Sequence, residues 1–246
     1  MANDKDVKRA WLGVDLGGTK ILAGVFDDGL SRLARSKTDA KASGGVEEVI
    51  GRIVKHLLGI FVGAGIGGGL ILNGELFIGF NGAAGKFGQM TLDCGGGVGP
   101  DNVPGSLESI ASRSALTRQI QREVKNGRST LLTEIVGPDL KEIKSGQLRK
   151  AIERGDTFVE SLVCRAAKHV GAAIGTLINI INPEVIVLGG GLMEQLEKRI
   201  LPIIRAKALE YSDSGVNRGI RIVASSLADD AGIVGAAAFA RRSSKG

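Results

Sequence analysis

Two stretches decide the fold: "WLGVDLGGTKILAGVFDDG", residues 11–29, and "IFVGAGIGGGLILNGELF", residues 60–77. In each, an apolar, β-branched run enters a glycine cluster and a second apolar run leaves it. That is the pattern of a strand, a tight turn and a returning strand. The chain therefore carries an internal repeat of a glycine-turned hairpin, as expected of two related halves facing a cleft. The 38 glycines among 246 residues are concentrated and not spread as low complexity. They gather at Gly13–Gly18, Gly63–Gly69, Gly79–Gly99 and Gly189–Gly191.

The chemistry of such turns is anion binding. In "DLGGTK", Gly17 and Gly18 let a ligand approach the backbone, successive amides form a nest, Thr19 adds a hydroxyl and Lys20 a charge. Asp15, at the strand end, is suited to magnesium held through water, because that ion prefers oxygen ligands and keeps its hydration. A plain hairpin turn with exposed charges is the alternative. In "GAGIGGG", Gly63, Gly65 and Gly67 can supply a second nest. It is not a dinucleotide fingerprint, because a strand follows where a helix is required. Two opposed nests can hold a polyphosphate. A third turn, "VIVLGGGL", places Gly189, Gly190 and Gly191 between a strand and a helix N-terminus. Phosphate or ring binding and tight packing account for it equally well.

The remaining pattern is α/β. Residues 32–41 can add a third strand, and "GVEEVIGRIVKHLL" (45–58) has a helical apolar face. "QMTLD" (89–93) is a further candidate strand. "SLESIASRSALTRQIQREVK" (106–125) predicts a helix capped by Ser106, with Ser109 in the place of the usual Glu of a capping box. A long helix runs from the cap Asp156 to Asn182-Pro183, with Phe158, Leu162, Ala166, Val170, Ala173 or Ile174, Leu177 and Ile181 along one face. From there the order is αβαβα.

Composition limits the function classes. The net charge of +6 could suit a polyanion, but the cations are mixed with Glu along helices. Aromatics at 4% argue against base-stacking surfaces. No nucleic-acid signature, membrane-spanning run or signal-peptide core is present, so neither nucleic acid nor membrane is an expected partner. Cys94 and Cys164 alone fit a reducing cytoplasm better than a disulfide scaffold. His56, His169 and Asn81 are expected in structural roles.

Together, "VDLGGTKILAGVFD", "IFVGAGIGGGLILNGEL", "NGAAGKFGQMTLD", "GSLESIAS", "NPEVIVLGGGL" and "DDAGIVGAAAFA" resemble the ROK family, the bacterial sugar kinases and repressors of the actin/hexokinase/Hsp70 ATPase superfamily. The resemblance implies an actin-like (ribonuclease H-like) α/β fold of two lobes. It implies ATP and magnesium as cofactors and transfer of the γ-phosphate to a hexose or hexosamine hydroxyl, with an Asp taking the proton. The departures are specific. Family members carry a segment between the first helix and the second hairpin, with an Asn-Asp pair whose Asp is the base; here "GRIVKHLLGIFVGAG" passes straight through. Where members place a His and three Cys for zinc, this chain has Gln89, Gly99, Asp101 and Ser106, so no zinc or other protein-bound metal is expected. Lys86 and Gln89 replace a Glu and the His of the sugar site, leaving Glu108 as the matching sugar ligand. Ala64 replaces a Thr of the second phosphate turn. Asp93 and Asp101 are the nearest carboxylates, and neither matches the position of the family base.

The expectation is thus a truncated N-terminal phosphate-binding lobe (residues 1–58) and a C-terminal lobe (residues 59–246) with the second phosphate turn and the adenosine-side elements. The protein should be cytoplasmic, bind nucleotide, and be impaired in hexose phosphorylation. The alternatives are an active glucose or N-acetylhexosamine kinase, or a non-catalytic nucleotide-binding scaffold or regulatory subunit. A homodimer, or pairing with a complete paralogue, is the expected assembly.

Overall fold

The computed structural model describes residues 11–16, 21–26, 30–37, 56–99, 103–227 and 230–243. The chain divides into two compact units, Met1–Ile53 with Ser226–Gly246, and Val54–Ser225.

The larger unit is built on a five-stranded sheet. Strands β4 (Leu57–Val62), β5 (Ile66–Leu72) and β6 (Glu75–Leu76) form an antiparallel meander, while β7 (Val185–Gly189) and β8 (Arg221–Ala224) run parallel to β4, in the order β6-β5-β4-β7-β8. β4 is central, and its Leu58 and Ile60 are fully buried with Ile186 and Leu188 of β7. Each such side chain contributes about 1.5–3 kcal/mol on leaving water. Between the meander and β7 come five helices: α1 (Leu107–Ala111), α2 (Arg113–Lys125), α3 (Leu132–Val136), α4 (Ser145–Glu153) and α5 (Thr157–Ile181). Helix α6 (Gly191–Glu210) connects β7 to β8 and packs along α5.

Helix α5 follows its sequence closely. Val159, Leu162, Val163, Ala166, Val170, Ala173, Ile174, Leu177 and Ile178 are buried, the stripe expected of a period near 3.6. Asp156 caps its start by accepting from the Val159 amide at 3.0 Å. Asn182, at φ 48°, ends it in the left-handed region that Asn tolerates.

The smaller unit holds an antiparallel sheet, β1 (Trp11–Leu16), β2 (Ile21–Phe26) and β3 (Arg32–Lys37), in sequence order. Helix α7 (Ala231–Ser243) packs on β1 and β2. Its Ile233, Val234 and Ala237 enclose Phe26 and Leu30 in a separate core. Sequence alone places this last helix with residues 59–246; the apolar face it needs is supplied by the first hairpin.

Three other expectations change. Leu57 and Leu58 begin β4 and do not end a helix; the rest of the expected helix lies outside the described residues. "QMTLD" makes a single bridge, Thr91 to Ser106, and no strand. The helix expected over 106–125 breaks at Ser112, whose extended backbone (φ −70°, ψ 160°) caps α2 by accepting from the Ala115 amide. Among the described residues, no helix is long and apolar enough to cross a membrane.

Candidate functional site

The break at Ser112 is the key to the second glycine turn. Val62 pairs with Ile66, so the turn proper is Gly63-Ala64-Gly65, and Gly67 lies inside β5 opposite Phe61. The first two amides of α2 have no acceptor within the helix. They donate instead to the turn, Arg113 to the Gly63 carbonyl at 2.9 Å and Ser114 to the Ala64 carbonyl at 3.2 Å. A second clamp comes from α1. The Glu108 carboxylate accepts from the Ile66 amide at 2.6 Å. It also fills the space beside Gly65 where any larger residue would place its Cβ. The Gly63 amide is bound to the Gly65 carbonyl at 2.8 Å. This leaves the amides of Ala64 and Gly65 without an intramolecular acceptor among the described residues. Two adjacent donors on a fixed turn can grip an anion.

The third turn lies next to the second. Phe61 pairs with Gly189 across the parallel β4–β7 ladder, so both strands end at the same edge. Gly190 has φ 86° and sits so close to Val62 that a Cβ would stand 2.7 Å from its carbonyl oxygen. Packing therefore explains Gly190, and Gly191 then opens α6 toward the same edge. Crevices at the carboxyl ends of parallel strands are where α/β sheets bind ligands. The second and third turns are thus brought together. Asp15 stands in β1 opposite Leu22. Gly17, Gly18, Thr19 and Lys20 lie outside the described residues.

Glu108, read from sequence as a sugar ligand, is committed through one oxygen to the Ile66 amide. Lys86 is exposed and makes no ion pair among the described residues, and Gln89 closes a single 3-10 turn, Phe87–Gln89. Residues 90–97 and 105–107 are joined by their own backbone. The Leu92 and Asp93 amides donate to the Gly105 carbonyl, Gly105 to Gly97, and Leu107 to Met90. Ser106 is fully buried and caps α1 through the Ser109 amide at 3.0 Å. Asp101 lies outside the described residues, which contain no cluster of three metal-ligating side chains. The exposed Asn81 belongs to the loop after β6.

Sequence reading missed Ser112, Arg113 and Ser114 as the supports of the turn. The signal was present: in "SRSA" a second Ser stands in cap position, six residues after Ser106.

The two histidines take structural positions. His56 precedes β4, its carbonyl accepting from the Glu184 amide at 2.9 Å. His169 is half-buried in α5, and burial first, then the Arg165 guanidinium, push its imidazole below its ordinary value of 6.5, against a smaller pull from Asp93. Between the folded value and the unfolded one the unfolded chain binds more protons, so this contribution is present above pH 6.5 and lost as pH falls. His169→Gln should flatten the fall in stability between about pH 7 and about pH 5, read by urea midpoints at each pH. An unchanged pH profile would remove His169 from the account.

The ROK family model matches residues 34–243. The chain is 31% identical over 190 residues to a glucokinase from Thermotoga maritima, covering 77% of this chain and 59% of that protein. It is 28% identical over 178 residues to an N-acetylglucosamine repressor from Escherichia coli O157:H7, covering 72% of this chain and 42% of the repressor. The chain thus spans about half the length of the curated relatives it matches. Its fold is similar to a ROK family glucokinase from Streptomyces griseus, solved with glucose and AMPPNP, at a TM-score of 0.78 and 22% identity, over 95% of this chain and 100% of that one. The α/β fold is that of the actin-like ROK sugar kinases, and the chain belongs to the ROK family.

Proposed function

We propose that this protein is an ATP-binding, sugar-kinase-like member of the family, impaired in phosphoryl transfer to a hexose. The observation that carries the nucleotide reading is the clamped turn Gly63–Gly65, with the Ala64 and Gly65 amides left over beside the Gly189–Gly191 turn. In this reading Gly17, Gly18, Thr19 and Lys20 form the other phosphate cup, and Asp15 holds magnesium through water. The sugar side is weaker. Lys86 offers no acceptor to a hydroxyl, one oxygen of Glu108 is committed to the backbone, and no Asn-Asp pair stands between the first hairpin and the second to supply the family's base, the chain's one such pair, Asn3-Asp4, preceding the first hairpin. The protein would act in the cytoplasm, alone, as a homodimer, or beside a complete paralogue.

Loss of a positioned base costs about 10²–10⁴ in rate. In a coupled ADP-release assay with glucose, N-acetylglucosamine and N-acetylmannosamine, turnover should therefore fall below that of a complete ROK glucokinase by about that factor. ATP with magnesium should still bind, measured by calorimetry. Full kinase turnover on any of these sugars would overturn the impairment, and absence of ATP binding would overturn the nucleotide reading. The similarity to an N-acetylglucosamine repressor favours a regulatory, non-catalytic role as the second reading; it predicts ATP or sugar binding with no turnover at all.

A further inference from the structure

A cavity of about 630 Å³ opens between α2 and α5, with Ser109 and Ile110 of α1 in its lining. Arg118 and Arg122 stand one turn apart on α2, and Arg165 and His169 one turn apart on α5. Residues four apart share a helix face, so α2 presents two guanidinium groups to this space and α5 presents one, with the His169 imidazole beside it. Among the described residues Asp93 is the one carboxylate lining it, and one of its oxygens already accepts from the Gly95 amide at 3.0 Å.

Two of the three guanidinium groups are unpaired here among the described residues, whereas the charge of a second cavity is balanced. That second cavity, between α4 and α6, holds Arg149, Lys198 and Arg199 beside Glu153, Glu194 and Glu197. There, Arg149 pairs with Glu153 at 2.8 Å, and Arg199 pairs with Glu160. In the α2–α5 cavity, Arg122 reaches Glu123 at 3.4 Å, while Arg118 and Arg165 have no ion pair or hydrogen bond among the described residues. The field of Arg165 already acts on His169. Like charges gathered around a concavity repel one another, and an anion bound between them relieves that repulsion. Guanidinium forks match phosphate oxygens in geometry as well as charge. Leu92 and Ile110 add an apolar wall, which a bare inorganic ion would not use.

The geometry points to a binding site for a small phosphomonoester, such as a sugar phosphate, held by Arg118 and Arg165 with its carbon skeleton against Leu92 and Ile110. The site is separate from the Gly63–Gly65 turn and does not depend on the nucleotide reading.

Calorimetry on the full chain with glucose 6-phosphate, glycerol 3-phosphate and orthophosphate tests it. Both phosphomonoesters should bind, and more tightly than orthophosphate. The double variant Arg118→Gln/Arg165→Gln should weaken them at least about tenfold, as expected for lost charge-assisted bonds. Both side chains are exposed, so the melting temperature should stay unchanged and report an intact fold. Arg149→Gln, in the balanced cavity, should bind as the unmodified protein does. Saturating ATP with magnesium should not displace the ligand. Four results would each overturn the site: no phosphomonoester binding at about 10 mM, about tenfold above a millimolar Kd; orthophosphate binding as tightly as the esters; wild-type affinity in the double variant; or displacement by ATP.

Discussion

Asp156→Ala should lower stability by about 3–5 kcal/mol, the sum expected for a lost helix cap and for donors left unpaired in a dry site. Asp156 is 6% exposed and receives three donors. One oxygen caps α5 through the Val159 amide at 3.0 Å. The other accepts from the Leu131 amide at 2.7 Å and the Thr130 hydroxyl at 2.6 Å, tying the start of α3 to the start of the longest helix. Against a total stability of about 5–15 kcal/mol, such a loss leaves a marginal fold. Asp156→Asn keeps an oxygen for the Val159 amide and should lose about half as much as the alanine variant, since its NH2 group cannot accept from Leu131. Urea unfolding followed by circular dichroism reads both variants. A loss within about 1 kcal/mol for alanine would mean that water replaces the carboxylate and that the junction is not dry.

Gly105→Ala should cost about 3 kcal/mol or more, combining a positive-φ penalty with overpacking. Gly105 has φ 57°, and an added Cβ would run into the Asp93 carbonyl, with 2.7 Å to its carbon. The obstacle is backbone and cannot rotate away. The consequence extends to the candidate site, because Gly105 receives the Leu92 and Asp93 amides and directly precedes the buried cap Ser106. If Gly105 shifts, Glu108 shifts with α1 and the Ile66 amide loses its acceptor. Hydrogen exchange should report faster exchange at Ile66 in the variant, while the core of α5 stays protected. Equal protection at Ile66 in both proteins would uncouple the segment from the turn.

Several elements were legible in the sequence because one local force decides each of them. The α5 stripe, its Asp156 cap and its Asn182 terminus need only periodicity and capping chemistry. The two hairpins follow from apolar runs around glycine, and the β7–α6–β8–α7 order follows from alternating apolar runs and amphipathic patterns. The illegible parts turn on competition between local and distant partners. The 106–125 segment has helical propensity throughout. It breaks at Ser112 because the freed Arg113 and Ser114 amides find acceptors on a turn some fifty residues earlier in the chain. Leu57 and Leu58 fit a helix face equally well, but β7 and β5 offer ladder partners on both sides.

The sequence by itself determined the family, the α/β class and the candidate turns, because these are written in contiguous residues whose spacing suffices. Only the tertiary structure decided what holds those turns. Glu108 is a clamp on the Ile66 amide, Gly190 is fixed by its approach to Val62, and α7 joins the first hairpin. Each of these depends on which unpaired amide or apolar face meets which other at short range, and that meeting is set by the sheet order and by helix packing, which no local pattern encodes.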